Sequence, residues 1–265
     1  MTNNVYMPVG CKIISITAQT DIEWLFKVET DIKPSPGQFI QVSIPKVGEA
    51  PISVANYNHE EKWIEFLIRK VGKVTDYIFS MEPGELLFLR GPYGNTFPLE
   101  QLEGKHVVIV AGGSGVAPVR PLIKRFLDDS KTRLDLLFGF KDSNAILFKN
   151  EILAWSRKAP MILTVDKGCG LDGECVGLVT EYIPRLTLTK NHEDLEIVIV
   201  GPPMMMKYSA LEFVKLGIPE EKIWVSFERN MSCAVGKCGH CKIDETYVCL
   251  EGPIFNYKKA KQLLD

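Results

Sequence analysis

The sequence predicts a multi-domain chain: an antiparallel β-barrel, then an α/β domain on a parallel sheet, then a small cysteine-rich module. Three observations carry this reading. Short apolar runs broken by Pro/Gly turns fill residues 1–101, apolar runs alternate with helical segments over 102–227, and four of the seven cysteines fall within 228–265. Composition narrows the function classes. Lys plus Arg number 31 and Asp plus Glu 33, a net charge of −2, and that balance does not suit a nucleic-acid binder, which needs a basic surplus. No apolar run approaches the roughly 18–20 residues that span a bilayer, so no membrane segment is expected. The opening Met1-Thr2-Asn3-Asn4-Val5-Tyr6 lacks a basic stretch followed by an apolar one, so no export signal and a cytoplasmic location are expected. In that compartment clustered cysteines are more often metal-binding or catalytic than disulfide-bonded.

In the first segment the expected strands are residues 11–18, 22–29, 38–44, 52–56, 62–70 and 85–90. Turns such as Lys33-Pro34-Ser35-Pro36-Gly37, Glu82-Pro83-Gly84 and Gly91-Pro92-Tyr93-Gly94 separate them. Six short strands at this spacing suit a barrel or sandwich, with one helix expected over 74–81. The second segment holds five continuous Val/Ile/Leu runs, 106–111, 134–140, 161–165, 195–200 and 223–227, the texture of strands covered on both faces. Helices are expected over 117–127, 146–157, 176–183 and 204–216, and such alternation implies parallel pairing. The third segment is too short to bury much core, and a metal site would account for its folding.

Cys233-x4-Cys238-x2-Cys241-x7-Cys249 is the spacing of plant-type [2Fe–2S] ligation. A loop wrapping such a cluster brings backbone N–H groups close to sulfur, which calls for small residues. Ala234, Gly236 and Gly239 supply them. The alternative is a four-cysteine zinc site, but zinc usually shows two C-x2-C knuckles and only one pair here has that spacing. His240 reads as a solvent-side loop residue and Cys11 as a small core hydrophobe. Cys169 and Cys175 are either a redox pair or parts of a glycine-rich loop, and the loop reading explains them as well.

Two further turns point to nucleotide phosphates. Strand 106–111 runs into Gly112-Gly113-Ser114-Gly115-Val116-Ala117-Pro118, and strand 195–200 into Gly201-Pro202-Pro203-Met204. Strand, glycine turn and helix N-terminus together suit a pyrophosphate, and both turns fall at carboxyl ends of strands, where open α/β sheets bind ligands. The spacing is not G-x-G-x-x-G, because the sixth position from Gly113 is Pro118. The run Met204-Met205-Met206 is expected to pack in the core rather than to hold a soft metal.

These motifs, in this order, resemble the ferredoxin–NADP reductase superfamily. Gly112, Gly113, Ser114, Gly115, Val116 and Pro118, with Gly201, Pro202, Pro203 and Met204, match its nicotinamide-dinucleotide motifs. Ala50-Pro51-Ile52-Ser53 resembles its first flavin motif, with Ser53 implied at the reactive edge of the flavin ring. Ile68, Arg69, Lys70, Gly72, Lys73, Val74 and Thr75 resemble the second flavin segment. The resemblance implies a flavin-binding barrel over 1–101, an NAD(P)-binding domain over 102–227 and a [2Fe–2S] module over 228–265. One residue departs from the pattern: Ala50 stands where the family carries an arginine, so Arg69 and Lys73 must take more of the flavin phosphates. FAD is expected, with FMN the alternative.

The resemblance implies a relay from nicotinamide to flavin to cluster to a partner. A flavin exchanges electrons in pairs or singly, which a nicotinamide and a cluster cannot both do. No side-chain nucleophile or acid–base group is expected. Lys141-Asp142-Ser143-Asn144 follows the second strand of the nucleotide domain. It offers no arginine for a 2′-phosphate, and Asp142 repels one, so NADH is favoured over NADPH. Around the cluster the sequence is similar to the B subunits of anaerobic sulfite reductases. That likeness implies an iron–sulfur electron-transfer subunit and a siroheme catalytic subunit as partners. Sulfhydrogenase gamma subunits and dihydroorotate dehydrogenase electron-transfer subunits share the layout and are the alternative. A non-enzymatic redox sensor is a third reading.

Overall fold

The computed structural model describes residues 4–168 and 175–263. Contacts divide the chain into two compact units, one of 1–96 with 228–253 and one of 97–227 with 254–265.

The first unit is built on a barrel of β1 (Val9–Ala18), β2 (Glu23–Glu29), β3 (Phe39–Ile44), β4 (Gly48–Asn58), β5 (Trp63–Arg69) and β6 (Leu86–Tyr93), closed in the order β1-β2-β5-β4-β3-β6. All its pairings are antiparallel. Alternate residues point inward, as period-2 strands require. Phe26 and Val28 of β2, Ile64, Phe66 and Ile68 of β5, and Leu87 and Leu89 of β6 are fully buried in one core with Ile40 and Val42 of β3. Closure leaves no sheet edge. β4 is longer than the sequence suggests because Pro51 lies inside it. Residues 48–53 pair with β3 and residues from Val54 onward with β5, across an irregularity between Val54 and Asn56. Pro51 therefore has a partner strand on one side only, which a residue without an N–H tolerates. α1 (Lys73–Ile78) packs on β3 and β4 and is shorter than expected.

In the second unit α2 (Leu99–Leu102) leads into β7 (His106–Gly112), α3 (Val116–Asp128), β8 (Arg133–Phe140), α4 (Lys149–Ser156) and β9 (Met161–Val165). β10 (Cys175–Val176), α5 (Val179–Tyr182), β11 (Leu195–Val200), α6 (Pro203–Lys215) and β12 (Ile223–Ser226) follow. The sheet order is β10-β9-β8-β7-β11-β12, all parallel. Every residue of β7 and β11 is buried. Two expected helices are cut back for local reasons. Phe148 takes a left-handed φ of 52° and starts α4 late, and Gly177, at φ 131°, separates Val176 from α5.

The segment after residue 227 serves both units. β13 (Lys242–Ile243) and β14 (Thr246–Tyr247) form a small hairpin before α7 (Val248–Glu251) in the first unit. β15 (Ile254–Asn256) then pairs antiparallel with β12 as a seventh strand of the second unit's sheet, followed by α8 (Tyr257–Ala260). Lys258 and Lys261 tie this end to Glu221 and Glu220. Among the described residues no helix is long and apolar enough to cross a membrane.

Candidate functional site

The cysteine loop is a wrap of backbone N–H groups around sulfur. Ala234, Gly236 and Gly239 take left-handed φ values of 63°, 69° and 77°, and such alternation turns successive amides toward one centre, a nest. Cys233 Sγ accepts from the N–H groups of Lys237 at 3.3 Å, Cys238 at 3.4 Å and Val235 at 3.5 Å. Cys249 Sγ accepts from Gly236 N–H at 3.2 Å and Cys241 Sγ from Cys249 N–H at 3.5 Å. Burial works against ionising Cys233, but these amides outweigh it and bring the thiol down to about 6. Burial and the neighbouring Cys241 push Cys249 up to about 12.

Cys238 lies beside Cys233, and Cys249 feels both Cys241 and Cys233. Among the described residues no three His, Cys, Asp or Glu side chains converge on one ion-sized point. Four thiols gathered by one loop, with amides donating to the sulfurs of Cys233, Cys241 and Cys249, are a donor set that fits an iron–sulfur cluster. Cys241 and Cys249 are buried and Cys238 is exposed. His240 is exposed, as expected, with Nδ1 2.7 Å from Ser232 Oγ.

On the barrel, Ala50, Pro51, Ile52 and Ser53 lie half-buried on β4, opposite Val42, Gln41, Ile40 and Phe39. Buried Ile68 and exposed Arg69 end β5, and Lys70, Gly72 and Lys73 are exposed beyond it. Arg69 pairs with Glu23 at 3.3 Å. Thr75 Oγ1 accepts from the N–H groups of Val71 and Gly72 at 2.9 and 3.0 Å. It thereby closes the turn and leaves the N–H groups of Lys73, Val74 and Thr75 at the helix start without intrahelical acceptors. A Cβ on Gly48 would lie 3.1 Å from Val74 Cγ2, so the start of α1 lies against the start of β4, two residues before Ala50.

In the second unit the two glycine turns touch backbone to backbone. A Cβ on Gly115 would lie 2.4 Å from the Val200 oxygen and 2.9 Å from Gly201 Cα. Gly113 takes a left-handed φ of 53°, and Ser114 and Gly115 lead directly into Val116 and buried Pro118 of α3. Met205 Sδ would lie 2.3 Å from a Cβ on Gly112 and 3.1 Å from one on Gly201, so this sulfur covers both glycines. The methionine expectation needs correcting: only Met206 is core, Met204 is 59% exposed, and Pro202 and Pro203 are exposed beside it. Asp142 is committed to structure as well. Its carboxylate caps the turn 143–145, accepting from Asn144 and Ala145 N–H at 2.9 and 3.1 Å. Cys175 is half-buried in β10, and Cys169 lies outside the described residues.

Sequence reasoning missed Arg90. It breaks the in–out alternation of β6 and is buried among Glu49, Tyr93 and the cysteine loop. A lone arginine in an otherwise apolar strand was the available signal.

Comparison with known proteins identifies the domains. Residues 14–97 match an oxidoreductase FAD-binding domain, 109–210 an oxidoreductase NAD-binding domain, and 228–261 the iron–sulfur cluster binding domain of dihydroorotate dehydrogenase B. The chain is 33% identical to sulfhydrogenase 2 subunit gamma of Pyrococcus furiosus, over 97% of each chain. It is 34% identical to a probable dihydroorotate dehydrogenase B electron transfer subunit of Methanothermobacter thermautotrophicus, over 88% of this chain and 80% of that one. Its fold matches a solved NADH-dependent reduced ferredoxin–NADP oxidoreductase at a TM-score of 0.79 and 22% identity, covering 100% of this chain and 94% of that one. These relatives support the sulfhydrogenase and dihydroorotate dehydrogenase alternative better than the sulfite reductase expectation. With FAD-binding, NAD-binding and iron–sulfur domains in this order, the chain belongs to the ferredoxin reductase-like flavin- and NAD-dependent oxidoreductases with a dihydroorotate dehydrogenase B-type iron–sulfur domain, an electron-transfer family.

Proposed function

We propose that this chain is the NADH-linked electron-transfer subunit of a multi-subunit redox enzyme, carrying FAD and a [2Fe–2S] cluster and serving a hydrogenase-type partner. The observation that carries this reading is end-to-end similarity to a sulfhydrogenase gamma subunit, 97% of both chains. When bound, the flavin and the cluster supply the conversion between paired and single electrons. The protein's part is placement. Gly112, Gly113, Ser114 and Gly115, with Gly201, let a dinucleotide pyrophosphate approach the start of α3. Asp142 places a carboxylate on the turn after β8, beside Lys141, and the turn carries no arginine, which favours NADH. Arg69, Lys73 and the N–H groups at the start of α1 hold the flavin phosphates in the absence of an arginine at position 50. Ser53 presents its hydroxyl to the flavin ring, and Cys233, Cys238, Cys241 and Cys249 ligate the irons.

A second reading rests on the likeness of residues 226–241 to sulfite reductase B subunits, with a siroheme subunit as the end partner. Anaerobic native purification separates the two, followed by identification of the co-eluting chains and assays with NADH. A hydrogenase partner with NADH-dependent hydrogen evolution bears out the main reading. A siroheme protein making sulfide only in the presence of this chain replaces it with the second. A dihydroorotate dehydrogenase partner overturns both partner choices.

A further inference from the structure

The cysteine loop is held to the barrel by side-chain donors that reach its backbone. Gln41 Nε2 donates to the Met231 carbonyl at 3.2 Å, and Asn95 Nδ2 to the Glu251 carbonyl at 2.9 Å. Between them stands Arg90. Its Nη2 donates to the Ser232 carbonyl at 2.7 Å and its Nη1 to the Cys233 carbonyl at 2.9 Å. Nη1 also reaches Tyr93 Oη at 3.1 Å, and Tyr93 Oη in turn donates to the Val5 carbonyl. The remaining edge of the guanidinium is taken by Glu49, with Nε 3.0 Å from Oε1 and Nη2 on Oε2. Ser43 Oγ holds the same carboxylate at 2.8 Å. The Arg90 side chain is 5% exposed and that of Glu49 31%.

This is a costly arrangement for a barrel strand to keep. A buried guanidinium persists only when its donors and its charge are both answered. Here two of the acceptors are the carbonyls of a cluster ligand and its neighbour, so the fork fixes the backbone from which Cys233 projects. A lysine cannot reproduce that grip, because it lacks the planar bidentate fork.

We infer that Arg90 is a positioning residue for the iron–sulfur centre: with Glu49 as its counter-charge, it clamps the Ser232 and Cys233 carbonyls and sets both the seat of the first ligand and the local charge beside it. The inference rests on the cluster assignment made above. It assigns opposite electrostatic consequences to the two partners. Removing the Arg90 charge disfavours the more negative, reduced cluster and lowers its midpoint potential. Removing the Glu49 charge leaves Arg90 unbalanced and raises it.

The test uses the full chain, purified anaerobically with its flavin, in wild-type, R90K, R90M and E49Q forms. Each is followed by EPR-monitored redox titration and by the rate of cluster loss to an iron chelator. In R90K the charge stays but the fork is lost. Its cluster signal broadens and cluster loss accelerates about tenfold, the factor that follows from the net loss of one charge-assisted hydrogen bond at the low end of its range. R90M shifts the midpoint down and E49Q shifts it up. Should R90M fail to fold, R90K and E49Q carry the test alone. An R90K signal and loss rate equal to wild type, or an E49Q midpoint unmoved or lowered, overturns the inference while leaving the cluster assignment intact. Wild-type protein without any [2Fe–2S] signal overturns both.

Discussion

Substituting Gly115 by alanine tests the closeness of the two glycine turns. The added Cβ would meet the Val200 oxygen at 2.4 Å, the Val200 carbonyl carbon at 2.7 Å and Gly201 Cα at 2.9 Å. All three are backbone atoms of β11 and its turn, so no rotamer change relieves the clash. The turns must part by close to an ångström, an overpacking cost of about 1–3 kcal/mol. Gly115 has φ −61°, so alanine meets no conformational penalty there, and its stiffer unfolded chain returns about 0.4–1 kcal/mol. The net expectation, taken at the middle of both ranges, is about 1.3 kcal/mol lost by the second unit. The displaced turn also weakens NADH binding by about tenfold, the equivalent of about 1.4 kcal/mol. Titration of the flavoprotein with NADH, with denaturant unfolding alongside, measures both. Gly10, whose Cβ would find ordinary contacts from 3.4 Å outward, serves as the control glycine for stability. A G115A protein that binds NADH and resists denaturant as the wild type does would refute the backbone-to-backbone closure of the two turns.

The other expectations are simpler. C233S and C249S, each removing one candidate ligand, abolish the [2Fe–2S] EPR signal, and iron content falls with it. Glu49 is held below its ordinary 4.5 chiefly by its hydrogen bonds from Arg90. Its contribution to stability is thus complete above that value and is lost as pH falls through the lowered one. Acid unfolding of E49Q should lack that part of the pH dependence, and identical acid limbs would contradict it. D142A loses the cap of the 143–145 turn, costing about 1 kcal/mol, and narrows the preference for NADH over NADPH. Thermal unfolding and the ratio of kcat/KM values check the two halves.

Much of the chain was legible because its chemistry is local. The cysteine spacing needs small residues at positions 234, 236 and 239, and the structure puts all three at left-handed φ, which aims the amides of Val235, Gly236, Lys237 and Cys238 at sulfur. The buried runs of β7, β8 and β11 read as strands because both faces of a parallel sheet are covered. The barrel's six strands followed from their turns. Less legible was the extent of elements where a neighbour decides: Pro51 inside β4, Phe148 delaying α4, and the methionines, of which one is core, one covers the glycine turns and one faces out.

By itself the sequence determined the order of the three functional segments, the glycines of the two turns that follow β7 and β11, and the four candidate iron ligands. Each of these depends on spacing along a few residues and on what a small side chain permits. Only the tertiary structure decided that residues 254–256 leave the cysteine segment to become an antiparallel strand beside β12, and that Arg90 reaches across more than a hundred residues of chain to the carbonyl of Cys233. Both are pairings between groups far apart in sequence. A strand or a guanidinium carries no local mark of the partner that folding will bring to it.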